Sequence, residues 1–300
     1  MATNFWRSSH SKTISSNTNT NNAIIEQDLS QIPPGHIFTD KEKELLLLHH
    51  MDELRNYGTK LQMHQRVIAT AMVYFKRFFA NNQIRDCDPL LLVPTVLLMA
   101  SKIEECPINC KSILKILPSE FTNLYSMQNI IDCEIHLMEQ LDFNLTIYHP
   151  YKQLELYIES LHLENDVALV QSAWNFMNDS YYSDACLQFS PHLIALASVY
   201  MAHLFGRVDL DEAQQKQFKE RDDRIKKWFD TLNVHMRQIG AITNQILDLY
   251  KTLQESRTGD VLATPLLKIT KMRMANVWRT NQPSYPPQQQ AIPPQQQMRN

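Results

Sequence analysis

The chain has 300 residues, 44% of them apolar, and a net charge of −3. That length admits one large domain or two smaller ones with a real core. The balance of charge argues against nucleic acid as the main partner, because backbone binding needs clustered Lys and Arg. Only five glycines are present, too few for a fold built on tight hairpins or phosphate loops, so the composition leans toward helices.

Five cysteines (Cys87, Cys106, Cys110, Cys133 and Cys186) have spacings that match no disulfide or zinc framework, and they read as reduced intracellular thiols. The N-terminus lacks the apolar stretch of a signal peptide. The longest apolar run, Leu90 to Ala100, is broken by Pro94 and is too short to span a bilayer. A soluble nuclear or cytoplasmic protein is the expectation, with no membrane partner.

In chain order, Ser11 to Asn22 is nearly all Ser, Thr and Asn and is expected to be disordered. Pro33-Pro34-Gly35 is a break. Asp40 is placed to N-cap a helix running to about Tyr57, with Gly58 to end it. The next helix carries Val67, Ala71, Tyr74, Phe75, Phe78 and Phe79 on one stripe. Asp88-Pro89 is an N-cap followed by proline at the first helical position. The helix it starts, through Glu104, is apolar nearly all round and must be surrounded by other helices. Pro94 falls in its first turn or two, where it costs little. A short helix from Cys110 to Leu117 and a longer one from Ser126 to Leu141 follow.

The plan then repeats. His149-Pro150 opens a helix to about Leu161, and another runs from Asn165 to Tyr182. Ser190-Pro191 opens a second all-round apolar helix expected to end at Gly206. The run from Lys216 to Lys227 mixes Lys, Glu, Arg and Asp and reads as a solvated helix or loop. An amphipathic helix spans about Val234 to Leu253. Lys268, Lys271, Arg273 and Arg279 stand in a weakly basic stretch that reads as poorly ordered tail, becoming rich in Pro and Gln beyond Arg279.

Leu97-Leu98-Met99-Ala100-Ser101 reads like Ile194-Ala195-Leu196-Ala197-Ser198, ninety-seven positions later. A period that long means duplicated domains rather than a solenoid. The expected fold class is all-α: two tandem five-helix repeats, each around a buried central helix. The boundaries are 1–37 for an N-terminal segment, 38–147 and 148–254 for the repeats, and 255–300 for the tail.

Leu98-Met99-Ala100-Ser101-Lys102-Ile103-Glu104-Glu105 resembles the signature that closes the third helix of a cyclin box. Tyr74-Phe75-Lys76-Arg77-Phe78 and Cys133-Glu134, followed by Leu141-Asp142-Phe143, resemble the matching elements before and after it. Order and spacing agree over roughly Asp40 to Leu253. Asn4-Phe5-Trp6, Ser8-Ser9-His10, Val67-Ile68-Ala69-Thr70-Ala71, Tyr148-His149-Pro150-Tyr151 and Asn178-Asp179 resemble the C-type branch of the cyclin family.

The resemblance implies a non-enzymatic regulatory subunit. Its partners would be a cyclin-dependent kinase and the Mediator complex, its setting RNA polymerase II transcription in the nucleus. It implies a kinase-binding set of Lys102, Glu134, Glu105 and Phe78. It also implies a groove between the repeats lined by Trp174, Asn178, Asp179 and Tyr250. Read from pattern alone, Lys102 and Glu134 are solvated charges at helix ends, and Trp174 is a core residue. No catalytic set, cofactor loop or metal-binding His pair is legible, so no small-molecule substrate, cofactor or metal is expected; His49-His50 lacks ligand spacing.

Two departures stand out. Cell-cycle cyclins usually carry Asp where Lys76 stands, paired with an Arg in the first helix, and that helix here reads Leu45-Leu46-Leu47-Leu48. The family's extra N-terminal helix falls on the low-complexity segment, with Ile24, Ile25 and Leu29 left to form a shortened one. The competing readings are a helical-repeat transcription factor that binds DNA, a cell-cycle cyclin, and an enzyme with an unfamiliar site.

Overall fold

A computed structural model describes residues 38–205, 212–232, 234–258 and 261–274. The expectations for 1–37, for Gly206 and for the chain beyond 274, Arg279 included, lie outside these residues. The described residues form thirteen helices and no strand.

The first repeat comprises α1 (Asp40–Lys60), α2 (Gln65–Asn81), α3 (Pro89–Ile103), α4 (Cys110–Ile116), α5 (Ser119–Leu124) and α6 (Met127–Gln140). Thr39, not Asp40, caps α1, through a capping box with Glu42. Gly58 does not end α1. The helix runs through it, and a Cβ there would lie 2.7 Å from Ile68 Cγ1 on α2. The glycine serves close helix packing instead of a left-handed cap. Asp88 caps α3 as expected, its carboxylate accepting from Leu90 N at 2.9 Å. From Pro89 to Ser101 every α3 residue is buried, with α1, α2 and α6 packed around it.

The second repeat comprises α7 (Tyr151–Ser160), α8 (Val167–Asp179), the short α9 (Ala185–Gln188), α10 (Pro191–Phe205), α11 (Glu212–Thr231) and α12 (Met236–Thr258). Here α10 is the buried centre, contacted by α7, α8 and α12. Like α3 it has 15 residues and begins with proline. The two starts, Pro89 and Pro191, lie 102 positions apart. The matching apolar strings are therefore five residues out of register with the helix caps. The charged run Lys216 to Lys227 belongs to α11, held to the core by Ile225 and Phe229.

A correction concerns the stretch expected to be tail. Residues Ala263–Met274 form α13, which packs on α1 of the first repeat. Ile269 and Met272 enter the first core, and Lys268, 1% exposed, pairs with both oxygens of Glu42 at 2.8 and 2.9 Å. Arg273 bonds both oxygens of Asp88, the α3 cap, and reaches Glu120. A basic stretch that reads as solvated becomes ordered because buried carboxylates wait for it.

Each repeat has its own apolar core. They meet where Tyr181 and Tyr182, after α8, enter the first core, and where α9 touches α2, α10 and α12.

Candidate functional site

Lys102 lies in the last turn of α3, at the rim of the first repeat. The helix closes with Glu104 N on Ala100 O and Cys106 N on Ser101 O, both 2.9 Å. Between them Glu105 takes the left-handed conformation at φ 56°, the place usually given to glycine. That turn leaves Glu105 exposed.

Glu134 comes from the middle of α6, whose entry is fixed by a capping box between Ser126 and Asn129. The packing of α6 on α3 brings the two charges together. Lys102 Nζ donates to both Glu134 oxygens at 2.7 Å. Exposure is uneven: 50% for the Lys side chain and 10% for the Glu. The carboxylate is held in the wall while the ammonium stands at the edge. Ile103 and Ile131, each more than a third exposed, flank the pair and were not singled out from sequence.

Phe78 requires a correction. It is fully buried in the first core, edge-on to Phe79 and His136. An aromatic on the inner stripe of α2 supports the wall and cannot touch a partner.

Behind α3 a polar chain joins the two repeats. Arg66 holds Glu104 Oε2 at 2.6 Å, and Thr70 donates its single hydroxyl proton to Glu104 Oε1 at 2.6 Å. Thr70 Oγ1 must then accept from His149 Nε2, 2.8 Å away. His149 Nδ1 is left to accept from Tyr181 OH at 2.6 Å. This requires a neutral imidazole, and burial, with Arg66 nearby, lowers the His149 pKa from 6.5 to about 4. None of these roles was legible, because Thr70 and His149 lie 79 positions apart.

Of the residues expected to line an inter-repeat groove, Trp174 and Asn178 meet Tyr151, and Asp179 meets Tyr250. Trp174 stacks on Tyr151 with ring centroids 5.6 Å apart. Asn178 Oδ1 accepts long bonds from Tyr151 OH and from Gln65 of the first repeat, both 3.4 Å. Tyr250 OH donates to Asp179 Oδ2 at 2.6 Å, and burial raises the Asp179 pKa. Lys76, at the position with the reversed charge, donates to Tyr182 O at 2.9 Å and pairs with Asp184 at 2.7 Å. Lys76 thereby ties the first repeat to the second.

Among the described residues, one trio of metal-ligand type is found: His49, His50 and Glu53 on α1, with donor atoms within 4.8 Å of one another. His50 Nδ1 and Glu53 Oε2 already satisfy each other at 2.6 Å. No helix among the described residues is long and apolar enough to cross a membrane.

Comparison with known proteins follows this geometry. Residues 22–146 match the family "Cyclin, N-terminal domain". Cyclin-C of Drosophila melanogaster is 32% identical over 287 residues, covering 90% of this chain and 97% of that protein. Cyclin-C of Rattus norvegicus is 33% identical over 284 residues, covering 90% and 91%. Among solved structures, a chain of the CAK complex from Chaetomium thermophilum bound to ATP-gamma-S superposes with TM-score 0.59 at 19% identity, covering 89% of this chain and 88% of that one. A chain of the yeast TFIIK (Kin28/Ccl1/Tfb3) complex gives 0.52 at 20% identity, covering 68% and 86%. Two helical boxes around α3 and α10, the closing turn that carries Lys102 and Glu105, and this likeness along nine-tenths of the sequence place the chain in the cyclin family, among the C-type cyclins.

Proposed function

We propose that this protein is the regulatory subunit of a cyclin-dependent serine/threonine kinase, that the kinase belongs to the Mediator kinase module, and that it acts on RNA polymerase II transcription in the nucleus. Chemistry is left to the partner. The observation that carries the reading is the Lys102–Glu134 pair, bonded at 2.7 Å, with the lysine half exposed between Ile103 and Ile131.

A lysine donates to backbone carbonyls, and a carboxylate accepts from backbone amides. Helix ends expose both kinds of group without partners. Charge-assisted bonds to them are the strong ones. In a kinase, the helix next to the ATP site carries the Glu that must pair with the ATP-site Lys. A subunit that grips this helix contributes its binding free energy to one kinase conformer and shifts the population toward it. A shift from mostly inactive to mostly active needs about 5 kcal/mol of differential binding. Glu105, held outward by its backbone, adds an acidic contact at the same rim, and the groove around Trp174, Asn178, Asp179 and Tyr250 is a second proposed contact surface.

The test is capture from nuclear extract by the wild-type chain and by the Lys102→Glu, Glu134→Lys double variant. Exchange of the charges retains an internal ion pair and reverses what a partner meets. Wild type is expected to recover a kinase active on a polymerase C-terminal-domain peptide, together with Mediator subunits. The variant is expected to lose both while its helical circular dichroism is unchanged. Full activity in the variant would sink this account of the interface. No kinase with wild type would sink the functional reading.

A further inference from the structure

We propose that Cys87 and Cys133 form an oxidation site, in which mild peroxide closes a disulfide between the turn before α3 and the kinase-facing helix α6. The two sulfurs lie 4.0 Å apart, although 46 residues separate them in the chain. Both residues are buried, at 7% exposure each. Cys133 directly precedes Glu134, and Cys87 directly precedes the cap residue Asp88.

The environment gives the two thiols different chemistry. The contact between the two sulfurs holds the Cys133 thiol below its ordinary range, and the same contact, with burial, pushes Cys87 up. Thiolate is the reactive form, so Cys133 attacks first. Its sulfur takes one peroxide oxygen to give the sulfenic acid, and the other oxygen leaves as water. The Cys87 sulfur then attacks the sulfenyl sulfur, and its proton leaves with the displaced hydroxide as a second water. Two thiols and one hydrogen peroxide become one disulfide and two waters.

A disulfide needs its sulfurs at about 2.05 Å, so the pair must close by roughly 2 Å. Asp88 cannot follow freely. Its carboxylate is bonded by Leu90 N, Tyr125 OH and the Arg273 side chain. The movement therefore falls largely on Cys133 and on α6, which carries Glu134. Closing the bond displaces Glu134 relative to Lys102 and weakens the grip on a partner. This consequence rests on the proposed kinase contact; the disulfide itself does not.

The full chain is treated with a few equivalents of hydrogen peroxide, alkylated, and digested without reductant for mass spectrometry. The expected product is a linked peptide pair containing Cys87 and Cys133, short of two hydrogens, lost with dithiothreitol and absent from Cys87→Ser and Cys133→Ser. Exposed Cys106 is the internal comparison. If Cys106 is oxidised while Cys87 and Cys133 remain alkylatable, the proposed site is wrong. In a second arm, oxidised wild type is expected to capture several-fold less kinase, with dithiothreitol restoring it and Cys87→Ser resistant. A quantitative disulfide with unchanged capture overturns the coupling to α6. Failure of reduced wild type to capture any kinase refutes the functional reading and leaves the mass-spectrometric result to decide the site.

Discussion

At the scale of single residues, burial separates those that act from those that support. Phe78 follows the charged pair Lys76-Arg77 in sequence but has no exposure in space. Phe78→Ala is therefore expected to cost about 3–5 kcal/mol of stability, as large-to-small core changes do. Urea denaturation should show that loss, and any fall in kinase capture should follow the folded fraction. Gly58 makes the opposite kind of prediction. Alanine would improve helix propensity by up to about 1 kcal/mol. Its Cβ would also meet Ile68 Cγ1 at 2.7 Å and Cδ1 at 2.9 Å. Ile68 is buried and β-branched, so it yields poorly, and overpacking typically costs about 1–3 kcal/mol. Gly58→Ala is expected to lower the urea midpoint; an unchanged or higher midpoint would show that α1 and α2 can separate freely.

Between elements, two buried polar contacts govern. The first fixes α13: Lys268→Met leaves Glu42 buried without its cation and is expected to cost roughly 3–5 kcal/mol. Adding Glu42→Gln removes the stranded charge and should recover most of the loss in denaturant midpoint, since the amide oxygen can still serve the α1 cap. A double variant no better than the single would mean that the stranded Glu42 charge is not the source of the loss. The second contact is the chain from Arg66 to Tyr181. His149 has a folded pKa of about 4 against an ordinary 6.5. As pH falls below 6.5 the unfolded chain takes up a proton that the folded chain refuses. The stabilisation is thus full above that value and is lost toward pH 4. At about 1.4 kcal/mol per unit, the loss approaches roughly 3 kcal/mol. His149→Gln, which cannot titrate, should flatten stability between pH 6.5 and 4 relative to wild type. An unchanged pH profile would refute the assignment of a neutral, buried imidazole.

For the whole molecule, the two cores are not equivalent. The second is assembled from residues Leu154 to Ile246, all within its own repeat. The first borrows Tyr181, Tyr182, Leu249, Ile269 and Met272 from the chain that follows it. A fragment covering residues 148–254 is therefore expected to melt cooperatively by itself. One covering 38–147 should expose apolar surface, bind a hydrophobic dye and lack a sharp thermal transition. Equal cooperativity of the two fragments would show that the borrowed residues are dispensable.

Local rules made part of this fold legible from the residues alone. Asp88-Pro89 placed the start of α3 because a short carboxylate followed by proline satisfies the first turn without help from elsewhere. The all-apolar strings of α3 and α10 announced buried central helices, since no face of them suits water. Lys102 and Glu134 were legible as a pair only through the family resemblance; by pattern they were two surface charges. Tertiary structure decided the rest. It buried Phe78, made Gly58 a packing glycine, joined Thr70 to His149 and set two cysteines side by side. It also turned a basic, tail-like stretch into α13, because Glu42 and Asp88 are buried where the Lys268 ammonium and the Arg273 guanidinium reach them. A charge reads as solvated until its partner is known, and partners as much as 226 positions apart are brought together by packing, which no local pattern encodes.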